Sequence, residues 1–145
     1  MSFVSWHTYG YGVKVSDIRC DSVKRLQTLL HCAPNYEKEI NAWLESNEIK
    51  CPSLEEYYEY DQYYCLGLAS LMQQVILEAE DIEFTACDDF EGDTYLLFEP
   101  SYPWNLRVKE ARLIEKDIFE ILTKYISMLT DAVVPIDYYA PENGG

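Results

Sequence analysis

Between Cys51 and Leu106 the chain has no lysine and no arginine, and the absence narrows the range of functions. Affinity for a nucleic-acid backbone comes largely from Lys and Arg neutralising phosphates, so direct nucleic-acid binding is not expected of a chain with net charge -15. An anionic membrane surface would repel the same charge. Histidine is almost missing. His7 and His31 are the only two, and neither stands in an HExxH pattern or beside a CxxC pair, so neither a metal nor a cofactor is expected. The five cysteines, Cys20, Cys32, Cys51, Cys65 and Cys87, form no CxxC pair and read as reduced, mostly buried thiols. No run of about eighteen apolar residues is present, and the opening MSFVSWHTYGYG lacks the basic and apolar regions of a secretory signal, so a cytoplasmic location is expected.

What is present is the composition of a folded domain. The chain is 145 residues long, 48% hydrophobic and 14% aromatic, enough apolar material to offset the ordering of one domain despite its charge. The pattern predicts a single α+β domain, with a small antiparallel sheet made of an N-terminal strand, a central hairpin and a C-terminal edge strand, packed against about four helices. Phe3 to Val15 alternates, with His7, Tyr9, Tyr11 and Val13 on one face and Gly10 and Gly12 on the other. A helix capped by Asp21 or Ser22 is expected to end or kink at Pro34, and a second, capped by Asn35, to run out near Ser46 or Asn47. Ser53-x-x-Glu56 is a capping box, and the stripe Leu54, Tyr57, Tyr64, Leu68, Leu71, Met72, Val75 and Ala79 extends it into one long helix from Leu54 to Ala79. DIEFTACDDFEGDTYLLFEP, from Asp81 to Pro100, reads as a hairpin turning at Gly92, and PSYPWN after it as irregular. Ile114, Ile118, Ile121, Leu122, Tyr125 and Leu129 mark a last helix, and Val133 to Tyr139 a short strand that Pro135 confines to an edge.

Catalytic and ligand signatures fail one by one. YGYGV supplies Gly10-x-Gly12 without a third glycine or a following helix, so two glycines on one strand face read as room for a close neighbour. Aligning Gly92 with the sixth position of a calcium loop puts Cys87 at the first ligand and Phe98 at the twelfth, so no calcium site is expected. Asp61 falls within the apolar stripe, where tyrosine hydroxyls are the expected donors. A small hydrolase or transferase using Asp61 or another carboxylate with His7 is the enzymatic alternative. A soluble assembly module with a merely solvated acidic face is a third.

Mapping the charges gives the strongest pattern. Cys51 to Leu106 holds thirteen acids and no base, whereas the remaining 89 residues hold thirteen acids and eleven bases. Segregation of this kind costs stability through self-repulsion, and solubility alone would be served by mixed signs. In size, acidity and the interleaving of Tyr with Asp and Glu, in EEYYEYDQYY and ACDDFEGD above all, the chain resembles phage-encoded DNA-mimic inhibitors, the anti-restriction and anti-CRISPR proteins. The resemblance implies a mode of action and no particular topology. It implies a non-enzymatic inhibitor that occupies the basic groove of a nuclease or another nucleic-acid-processing effector. The expected contacts are Glu55, Glu56, Glu59, Asp88, Asp89, Glu91 and Asp93, with Tyr58 and Tyr63, off the core stripe, as exposed aromatic anchors. Being turn residues, the four hairpin carboxylates are expected to contribute little to the fold.

Overall fold

A computed structural model describes residues 6–60, 66–99 and 115–144. Six strands and five α-helices follow one another as β1 (Trp6–His7), β2 (Gly10–Lys14), α1 (Val23–Leu30), α2 (Pro34–Ser46), α3 (Leu54–Tyr58), α4 (Leu68–Glu80), β3 (Thr85–Asp88), β4 (Thr94–Phe98), α5 (Glu115–Leu129), β5 (Ile136–Tyr139) and β6 (Glu142–Gly144). The main sheet is antiparallel in the order β3-β4-β2-β5, and β1 pairs with β6 in a separate ribbon. The architecture is the predicted α+β domain.

Alternation along β2 places Tyr11 and Val13 on the helix-covered face, in one core with Leu96 of β4, Leu71, Met72 and Val75 of α4 and Leu122 and Tyr125 of α5. Gly10 and Gly12 lie on the other face, hard against β4. A β-carbon on Gly12 would stand 2.0 Å from the Leu96 carbonyl oxygen, and one on Gly10 2.7 Å from that of Phe98. The close neighbour expected of the glycine pair is thus the backbone of β4. The single N-terminal strand expected from Phe3 to Val15 is instead two strands in two sheets, its first residues lying outside those described. Pro141, between β5 and β6, has no N–H to continue a ladder, and its carbonyl accepts from the Thr8 amide opposite at 3.2 Å.

Leu26, Leu29 and Leu30 of α1 and Ile40 and Leu44 of α2 are buried, as their spacing requires. Ser22 occupies the N-cap position of α1. The start of α2 differs from expectation: Pro34 is its first residue and Asn35 is no cap. The carboxylate of Glu78, on α4, accepts from the Asn35 and Tyr36 amides at 3.0 and 2.9 Å, a distant side chain doing what a local cap would do.

The long helix is a correction. α3 begins at the predicted capping box, with the Glu56 amide 3.2 Å from Ser53 Oγ and the Ser53 amide 3.1 Å from Glu56 Oε1, but ends at Tyr58. α4 starts afresh after Gly67, whose φ of +58° and ψ of -124° no helix contains. Tyr57, Leu68, Leu71, Met72 and Val75 are buried as the stripe predicts, whereas Ala79 is exposed. Tyr64 and the PSYPWN segment lie outside the described residues.

In α5, Ile118, Leu122, Tyr125 and Leu129 are buried, Ile121 partly so, and Ile114 precedes the described part. β5 takes the predicted edge position, with Pro135 immediately before it. The amide of Tyr138 donates to the Asp137 carboxylate at 2.8 Å.

Candidate functional site

The acidic hairpin is built on β3 and β4, joined through Gly92 with φ +86° as the turn requires. Ile82 and Phe84, just before β3, are buried and fix the hairpin to α4, whose Gln73 amide group donates to the Phe84 carbonyl at 2.8 Å. Below the turn, Tyr95, Leu96 and Leu97 are buried. The sequence thus plants apolar strands in the fold and leaves the carboxylates at the tip.

Those carboxylates do two different things. Asp89 is structural: its Oδ1 accepts from the Glu91 and Asp93 amides at 2.9 and 3.0 Å, and its Oδ2 from the Tyr95 hydroxyl at 2.9 Å. Asp93 pairs with Lys14 at 3.2 Å. Asp88 and Glu91 are exposed, and no ion pair or side-chain hydrogen bond among the described residues engages their carboxylates. The expectation that all four turn acids are dispensable to the fold is therefore corrected, because the chain would otherwise leave the Glu91 and Asp93 amides without acceptors.

Burial acts to raise the Asp89 pKa, but the Tyr95 hydroxyl, the two amides and nearby Lys14 outweigh it and hold the group below its ordinary value of 3.8. The same hydrogen bond adds to burial in pushing the Tyr95 phenol up. A depressed carboxylate contributes stability above its unfolded pKa and loses it as pH falls through the folded one. Asp89→Asn should accordingly lower stability near neutrality by about 1 kcal/mol. That deficit should close as the pH drops below about 4. Thermal unfolding of both proteins across pH checks this; a constant difference down to strong acid would remove the carboxylate from the account.

The second predicted cluster sits on α3, a separate element; the helix that packs on the hairpin is α4. Glu55 and Glu59 are exposed, whereas Glu56 is engaged in its capping box. Tyr58, expected as an exposed anchor, is half-buried beside Gly67, and burial, with smaller contributions from Cys20 and Glu55, raises its pKa to about 12. Tyr63 and Asp61 lie outside the described residues, as does the side chain of His7, so the proposed hydrolytic pair falls there too.

Other acids of the cation-free segment are also tied inward. Glu80 accepts from the Tyr125 hydroxyl at 2.7 Å and from Lys124 at 3.2 Å, and Glu99 from the Thr85 hydroxyl at 2.7 Å. Glu83 is exposed. Sequence reasoning missed Phe90, which stands 67% exposed at the tip between Asp89 and Glu91. The available signal was a lone aromatic inside the turn, beyond the end of β3.

Two cavities lie away from the hairpin: one of about 840 Å³ touched by Gln27, Asn41, Glu45, Ile49 and Tyr57, and an apolar one of about 480 Å³ between α5 and Val134. Neither includes a hairpin residue. Among the described residues no group of three His, Cys, Asp or Glu side chains could hold a metal ion, and no helix is long and apolar enough to cross a membrane. Cys20, Cys32 and Cys87 are partly buried and Cys51 is exposed, so burial is less complete than expected. No protein-family model, curated protein or solved structure matches this chain.

Proposed function

We propose that the chain is a non-enzymatic inhibitor that acts in the cytoplasm by presenting its acidic segment to the basic groove of a nucleic-acid-processing protein such as a nuclease, in the manner of DNA-mimic inhibitors. One observation carries the reading. Glu55, Glu59, Glu83, Asp88 and Glu91 are exposed in a stretch without a single Lys or Arg, and the hairpin holds two of them on a turn fixed by hydrogen bonds. Fixed like charges repel one another, a cost that a complementary positive surface relieves. The protein's role is thus electrostatic occupancy, with neither turnover nor a bound cofactor.

The test is inhibition of plasmid cleavage by a panel of purified restriction and RNA-guided nucleases whose DNA channels are lined with Lys and Arg. At least one should be inhibited, with an association rate that falls steeply from about 0.05 to about 0.5 M salt as screening shortens. A flat rate over that range, or no inhibition anywhere in the panel, overturns the reading.

A further inference from the structure

Phe90 has no role in the core, and its position is held on both sides. Its amide donates to the Glu142 carbonyl at 3.2 Å, which ties the tip to β6. Next to it, the Asp89 carboxylate takes the Glu91 and Asp93 amides, and the Asp89 amide donates to the Asp93 carbonyl at 3.0 Å. The turn is therefore set before any partner arrives, so little ordering is needed on contact. A phenyl ring left 67% exposed on a fixed turn, with the exposed acids Asp88 and Glu91 close to it in sequence, combines an apolar knob with negative charge.

Resting on the function proposed above, we infer that Phe90 is the anchor of the interface, entering an apolar recess on the partner protein whose rim carries Lys or Arg. The complement follows from the two chemistries at the tip. Carboxylates alone would be satisfied by any cationic surface, but a ring of this size gains only where it is taken out of water, and an arginine at the rim can also stack on its face. Charge then sets the rate of encounter, and the ring sets how long the complex lasts.

Surface plasmon resonance against the nuclease that the panel identifies separates the contributions. Phe90→Ala should speed dissociation at least about tenfold, leave the association rate and its salt dependence unchanged, and leave the melting temperature where it was. Phe90→Leu, which keeps apolar bulk, should recover most of the loss. Asp88→Asn with Glu91→Gln should do the reverse, slowing association and flattening its salt dependence. Wild-type dissociation by Phe90→Ala overturns the anchor while the electrostatic reading stands. A drop in melting temperature for Phe90→Ala also overturns it, since the ring would then be structural. Unchanged association by the double carboxylate variant overturns the electrostatic reading instead, and an uninhibited panel removes both.

Discussion

Gly12→Ala should move the urea midpoint of unfolding far below that of the parent protein. The added β-carbon would lie 2.0 Å from the Leu96 carbonyl oxygen and 2.9 Å from the Leu97 α-carbon. Both obstacles are backbone, so no side chain can rotate away, and relief requires β2 and β4 to separate along a ladder that runs from Tyr11↔Phe98 to Lys14↔Tyr95. The expected loss is about 3–5 kcal/mol, at the upper end for a single methyl group. That is a large share of the roughly 5–15 kcal/mol by which domains of this size are stable. Gly92→Ala is the control. It carries the unfavourable φ of +86° but meets nothing within 4 Å, so only the conformational cost of about 1–2 kcal/mol applies. Urea denaturation followed by circular dichroism reads both, and a Gly12→Ala midpoint equal to that of Gly92→Ala would mean the strands are not so closely apposed.

The second large effect concerns the carboxylates as two populations. Neutralising Glu56, Glu78, Glu80 and Asp89 by Gln or Asn should cost about 3–5 kcal/mol in all, because each removes a charge-assisted hydrogen bond to a different partner. Glu78 and Glu80 matter most in that sum: one caps α2 and the other holds Tyr125 of the core. Neutralising Glu55, Glu59, Asp88 and Glu91 changes the net charge by the same amount and should leave the melting temperature unchanged or slightly higher. The second set should nevertheless lower affinity for the inhibited nuclease at least about tenfold, or about 1.4 kcal/mol. Equal thermal loss from both sets would show that the hydrogen bonds are not what distinguishes them; equal affinity from the second set would leave the acids a solvated face.

Local signals in the sequence survived folding best. The Ser53/Glu56 box, the glycine at the hairpin turn and the alternation of Tyr11 and Val13 each depend on residues within a few positions of one another, and all three stand where expected. The break between α3 and α4 was hidden by arithmetic. Tyr57 and Leu68 are eleven positions apart, close to three turns of about 3.6 residues, so the apolar stripe stays in phase across a gap that interrupts the helix. Glu78 as the cap of α2 could not be read at all, since the two elements meet only in the fold. Asp89 could have been, because an Asp two residues before an amide is the ordinary Asx-turn pattern. The run of acids was plain in the sequence, but which of them face solvent alone depends on donors that come from Lys14, Tyr95, Lys124 and Tyr125.

The end of the main sheet has a consequence for crowded solutions. At β5 the amide of Tyr138 is already taken by the Asp137 carboxylate, so a further chain laid alongside would find that donor missing. Repulsion between copies with net charge -15 also keeps them apart, but salt screens it. The protection at β5 is short-ranged and does not fade with ionic strength. A concentrated, high-salt sample of the native protein should therefore resist fibre growth from this edge, even where charge no longer keeps its neighbours at a distance.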